Sequence, residues 1–127
     1  MAMTLHELVA EAKAQISEIG IATAAQSITQ GVTLIDIREP AEFEAGRLAG
    51  ALSIPRGVLE FKTVDHPALA NKDSHIVIYC RSGGRASLSA LNLQRLGYTH
   101  IESIAGGIEA WKVAGQAVIT DTTSYTG

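Results

Sequence analysis

Apolar residues recur at helical spacing near the start of the chain, where Leu5, Leu8, Val9, Ala12, Ile16 and Ile19 predict an amphipathic helix over 4–19. Thr4 with Glu7 fits a capping box, and Gly20 supplies a stop. Thr23 with Gln26 repeats the capping pattern for a second, shorter helix ending at Gly31. Val32 to Ile37 is apolar and β-branched, which predicts a buried strand with Asp36 and Arg38 where it emerges. Pro40 to Ala45 suits one helical turn. Ala51 to Ile54 reads as a weak strand closed by Pro55, and a short helix is expected near Val58 to Phe61. His75 to Tyr79 is the clearest strand: Ile76, Val77, Ile78 and Tyr79 run unbroken, as in a central parallel strand covered on both faces. A helix from Arg85 to Leu96, a strand from Ile101 to Ile104 and a helix from Ile108 to Val113 follow. The tail from Thr120 to Gly127 is polar and expected to be loose. Alternating strands and helices predict an α/β fold, with a mainly parallel central sheet and helices on both faces.

Composition narrows the function classes. The 127 residues suffice for one domain with its own core, and 46% are hydrophobic while only 5% are aromatic. With a formal net charge of -3 and no basic run, the chain lacks a nucleic-acid footprint. No apolar stretch approaches the ~20 residues that span a bilayer. Residues 1–20 carry Glu11, Lys13 and Glu18 among their apolar positions, unlike a secretory signal, so a cytoplasmic location is expected. The histidines (His6, His66, His75, His100) lie far apart in sequence with no ligand-spaced pair, and are expected at the surface, not on a metal. The single cysteine, Cys80, excludes an internal disulfide.

Cys80 is nevertheless the chemically interesting position. It ends the clearest strand and opens the run Cys80-Arg81-Ser82-Gly83-Gly84-Arg85 before a helix. Ligands in parallel sheets bind beyond the carboxyl ends of strands. Two glycines let the backbone curl so that successive N–H groups point inward, and the helix start adds partial positive charge. Arg81 and Arg85 contribute full charges. Such surroundings favour a thiolate. A cysteine at a strand end is often plain core, but packing alone explains neither the paired glycines nor the arginines.

The run Cys80 to Arg85 resembles the active-site loop of the rhodanese family. Leu34 to Phe43 resembles that family's first strand-and-turn motif, Gly46 to Pro55 the motif that follows it, and Gly106-Gly107-Ile108-Glu109-Ala110-Trp111 the closing motif. The blocks occur in family order. Arg47 departs from the family's common histidine and is read as structural. The resemblance implies a rhodanese domain over 21–115, preceded by a helical extension over 1–20 and followed by a tail over 116–127. It implies a sulfurtransferase in which Cys80 takes sulfane sulfur from thiosulfate or a similar small anionic donor, then passes it from a persulfide to cyanide, a thiol or a protein acceptor. No cofactor or metal is required. Backbone N–H groups of residues 81 to 85 would hold the sulfur, and Arg81 would face the donor at the pocket mouth. Asp36 would support the loop by pairing with Arg85, while Arg38 and Glu42 would pair with each other. Trp111 is expected to anchor the last helix in the core. The alternatives are a non-turnover sulfur carrier or regulatory binding module, and a phosphatase or arsenate reductase. The known phosphatase loop places five residues between cysteine and arginine; here there are four.

Overall fold

Among the described residues, five parallel strands form one sheet: β1 (Ser17–Ile19), β2 (Thr33–Asp36), β3 (Leu52–Ser53), β4 (Ile76–Tyr79) and β5 (Ile101–Ile104). Their order across the sheet is β1-β5-β4-β2-β3. The helices are α1 (Leu5–Gln15), α2 (Ile21–Thr29), α3 (Pro40–Ala45), α4 (Arg56–Lys62), α5 (Gly84–Arg95) and α6 (Gly107–Val113), with a 3-10 turn at Pro67–Leu69. The structure, a computed structural model, describes residues 2–120. Beyond Thr120, the tail expected to be loose lies outside the described residues.

The strand pleat divides the core in two. Ile76, Ile78 and Cys80 face one way, packed with Leu59 of α4 and with Ala86, Ala90 and Leu93 of α5. Val77 and Tyr79 face the other, packed with Ala24 of α2 and with Ile108 and Trp111 of α6. This is the arrangement that β4's unbroken apolar run requires, since it leaves no solvated face for a polar residue. Trp111 anchors α6 as expected, and its indole N–H donates to the Ala117 carbonyl at 2.9 Å. Among the described residues, no helix is long and apolar enough to cross a membrane.

The amino-terminal segment differs from expectation. The capping box forms: Thr4 N–H donates to Glu7 Oε1 at 2.8 Å, and Glu7 N–H donates to Thr4 Oγ1 at 3.0 Å. The helix stops at Gln15, however, and Ser17–Ile19 becomes an edge strand on β5, with Ser17 opposite Glu102 and Ile19 opposite Ile104. Ile16 packs against one half of the core and Ile19 joins the other. Two residues three apart lie on one stripe of a helix but reach opposite faces of a strand, so their spacing suits both. The second helix starts at Ile21 with Gly20 as its cap, one turn before the expected Thr23 box, and Ile21, Ala24, Ala25 and Ile28 then meet the core.

The histidines also differ from expectation. Ile76 pairs with Ile101 in register, which brings the preceding His75 and His100 together; their rings stack with centroids 3.8 Å apart.

Candidate active site

All five strands point their carboxyl ends the same way, and Cys80 follows directly from β4. The chain turns there because Gly83 adopts φ +109°, in the left-handed region that favours glycine. Two backbone donors then reach the sulfur: Gly83 N–H donates to Cys80 Sγ at 3.1 Å, and Ala86 N–H at 3.3 Å. The Ser87 N–H and hydroxyl both donate to the Gly83 carbonyl, at 3.0 and 2.7 Å, and secure the first turn of α5. Sγ thus sits at the start of a twelve-residue helix, where the dipole favours negative charge. The inward amides come from Gly83 within the expected span and from Ala86, one residue beyond it.

The start of α6 clamps the same loop. Ile108 N–H donates to the Cys80 carbonyl at 3.0 Å, and Glu109 N–H to the Arg81 carbonyl at 3.1 Å. This close approach needs a glycine at 107, which has φ +58°; a Cβ there would lie 2.4 Å from the Cys80 carbonyl oxygen. On the other side, α1 and β1 touch the loop's glycines. A Cβ on Gly84 would stand 3.9 Å from Val9 Cγ2, and one on Gly83 would stand 3.6 Å from Lys13 Nζ and 3.9 Å from Glu18 Oε2. Lys13 and Glu18 pair at 3.3 Å.

The expected ion pairs exchange partners. Asp36 is fully buried and bonds Arg38: it accepts from the Arg38 backbone N–H at 2.9 Å, and its Oδ2 accepts from Nη2 at 2.7 Å. Arg38 Nη2 also donates to the Gly46 carbonyl at 2.6 Å. Arg85 pairs with Glu42, from Nη1 to Oε1 at 2.9 Å and from Nη2 to Oε2 at 3.1 Å. The reason is local. Two residues past the end of β2, Arg38 folds back onto the Asp36 carboxylate, which leaves Glu42 on α3 facing α5. Asp36 stays close enough to raise the Arg85 pKa, behind the larger effect of Glu42. The Arg85 hydrogen bonds hold Glu42 down at about 2. For Arg38, burial pulls the pKa down, but the hydrogen bonds and charge of Asp36 carry it upward overall.

Tyr79 and Arg47 reinforce this end of the sheet. Burial pushes the Tyr79 phenol well up, and its oxygen accepts from the Leu48 N–H at 3.1 Å. Arg47 is buried, with its guanidinium 4.9 Å from the centre of the Phe43 ring and its backbone bridged to Ile119, so it packs as a structural residue.

The remaining loop residues face outward. Ser82 is exposed. Arg81 Nε donates to Glu109 Oε2 at 2.9 Å, and both side chains are more than half exposed. A hollow of about 400 Å³, lined by Ile37, Glu39, Arg56, Gly57, Glu60 and Arg85, opens on the side of the sheet toward which Cys80 points. Cys80 itself is 1% exposed. Glu60 accepts from Asn92 Nδ2 at 2.9 Å, and the Glu39 side chain caps α3. Half-buried Arg56, by contrast, has no ion-pair partner among the described residues. Sequence reasoning missed Arg56, although its position just after β3 and Pro55, at a strand's carboxyl end, was available as a signal.

The rhodanese-like domain family matches residues 21–114. The chain belongs to that family. A sulfurtransferase of Allochromatium vinosum is 34% identical over 106 residues, covering 82% of this chain and 95% of that protein. Thiosulfate sulfurtransferase 16, a chloroplast protein of Arabidopsis thaliana, is 31% identical over 105 residues, covering 75% and 86%. Among solved structures, a Rhodopseudomonas palustris protein described as of unknown function and a possible tyrosine phosphatase superposes with a TM-score of 0.83 at 30% identity, covering 94% and 96%. β1, which pairs with the rhodanese sheet, precedes the family match.

Proposed function

We propose that this rhodanese-family protein moves sulfane sulfur through a persulfide on Cys80. The observation that carries the reading is the pair of N–H groups, from Gly83 and Ala86, aimed at Sγ. The Cys80 thiolate attacks the outer sulfur of thiosulfate, forming an S–S bond while the donor's own S–S bond breaks and sulfite leaves with the electron pair. The outer persulfide sulfur stands one S–S length, about 2.05 Å, beyond Sγ and carries the negative charge. Cyanide or a thiol then attacks it, releasing thiocyanate or a new persulfide and restoring the thiolate. This is covalent catalysis in two half-reactions, and it gives ping-pong kinetics. The single cysteine leaves no internal thiol to resolve the persulfide, so the acceptor is external, either a small molecule or a protein thiol. A free working thiol suits the reducing cytoplasm.

The donor's charge calls for an unpaired cation. Arg81 and Arg85 are engaged by Glu109 and Glu42, so Arg56 serves the donor from the hollow. The engagement of Arg85 also argues against the phosphatase reading, because a guanidinium held by two bonds to a carboxylate is not free to clamp phosphate. Intact-protein mass spectrometry after thiosulfate exposure tests the proposal. The wild-type chain is expected to gain one sulfur that reductant removes, and Cys80→Ser to gain none. An unmodified wild-type chain, or equal labelling of both, overturns it.

A further inference from the structure

The end of the sheet opposite Cys80 holds a second cluster of reactive side chains. His75 immediately precedes β4, and His100 immediately precedes β5. The register that pairs Ile76 with Ile101 sets the two histidines on adjacent strands. Glu102 is two residues past His100, so the strand's alternation projects it from the same face of the sheet. His75 Nε2 bonds Glu102 Oε1 at 2.5 Å, the imidazoles stack at 3.8 Å with planes 2° apart, and one ligating atom from each of the three residues lies within 4.8 Å of the others. We propose that His75, His100 and Glu102 form a binding site for a divalent transition-metal ion, with zinc as the representative ion.

The donor set selects the ion class. Two imidazoles and one carboxylate suit zinc, nickel or copper, whereas magnesium and calcium take mostly oxygen ligands. Three protein ligands leave a fourth position for water. A His75–Glu102 pair accounts for only two members of the cluster. The exposed His100 ring makes no hydrogen bond among the described residues, so both of its nitrogens are available. Closure needs only side-chain motion. Parallel rings send their lone pairs side by side, so His100 turns about its ring torsion until its nitrogen converges with that of His75. Glu102 Oε1 and His75 Nε2 then part to roughly 3.3 Å, the separation set by metal–ligand distances of about 2.0–2.1 Å. The backbone already holds the three positions on two hydrogen-bonded strands. A bound ion would tie the starts of β4 and β5 together and stabilise the fold by mass action.

Cys80 is also a zinc ligand type, so the test uses the full chain carrying Cys80→Ser. Titration with zinc chloride by calorimetry is expected to show one ion per chain and a rise in Tm. Cobalt substitution should give visible d–d bands without thiolate charge transfer. His100→Ala, at an exposed position, should weaken zinc binding well over tenfold while leaving the metal-free Tm close to its parent. His75→Ala should weaken binding as much, with some loss of metal-free Tm because its bond to Glu102 goes, and Glu102→Gln should weaken binding less. Absence of zinc binding at submillimolar concentrations overturns the proposal. So does binding that survives unchanged in both His100→Ala and Glu102→Gln.

Discussion

Gly107→Ala tests how the last helix holds the active-site loop. Alanine at φ +58° costs about 1–2 kcal/mol through the left-handed backbone alone. Its Cβ would also meet the Cys80 carbonyl oxygen at 2.4 Å, the Arg81 carbonyl oxygen at 2.6 Å and the Arg81 carbonyl carbon at 2.7 Å. All three are backbone atoms, so no side-chain rotation relieves the contact. Overpacking of this kind costs about 1–3 kcal/mol. Losing the Ile108 or Glu109 hydrogen bond to the loop adds about 1 kcal/mol. The expected total is about 3–6 kcal/mol, or roughly 4 °C of Tm for each kcal/mol in a chain of this size. Gly50 is the matched control: it has φ +81° with nothing within 4 Å of its Cβ position, so Gly50→Ala should lose only the backbone part. Urea unfolding followed by circular dichroism measures both losses. Equal losses would refute the clamp. Sulfur transfer by the folded fraction of Gly107→Ala should also fall, since the displaced carbonyl belongs to the nucleophile itself.

Steady-state kinetics with thiosulfate should show Arg56→Gln raising KM several-fold at nearly constant kcat, with Arg81→Ala changing KM by less than about twofold; a larger effect from Arg81 would return the donor contact to the loop. The Glu42–Arg85 pair makes stability pH-dependent. Because Glu42 is depressed to about 2 in the fold, its contribution is fully present above the unfolded carboxyl value near 4.5 and is lost as pH falls toward 2. The stability gap between wild type and Glu42→Gln should therefore narrow across that window in acid titrations, and a constant gap would contradict the assignment. Asp36→Ala, by stranding buried Arg38, should cost about 3–5 kcal/mol in chemical denaturation, and a loss below about 1 kcal/mol would mean the pair is dispensable. Tyr79→Phe leaves the Leu48 N–H without its acceptor and should cost about 1–3 kcal/mol with sulfur transfer retained; unchanged unfolding would show that another acceptor takes its place.

The central strand, Cys80, the turn glycines and the following helix are readable from the chain because each is locally determined: four apolar residues demand burial, and paired glycines demand an unusual backbone. What escaped reading depends on neighbours distant in sequence. Ser17–Ile19 is a strand only because β5 offers it an edge, and the spacing of Ile16 and Ile19 also suits a helix. Asp36, Arg38, Glu42 and Arg85 were recognisable as a charged group, but their pairing follows from the direction the chain takes after β2. His75 and His100 become neighbours only through strand register. Arg56 stands at a strand's carboxyl end, but that among the described residues it lacks an ion-pair partner while Arg81 and Arg85 have one shows only in the fold.

The parallel sheet joins the first of the described strands to the last. Among the described residues β1 pairs only with β5, so its place in the sheet does not exist until the ribosome has delivered Ile101–Ile104. Such distant pairing makes assembly slow compared with local helix formation. During synthesis Ser17–Ile19 must wait for this partner until the chain has emerged as far as Ile104. Once paired, it covers the border of β5 and sets α1 against α5, beside the glycines that shape the cysteine turn.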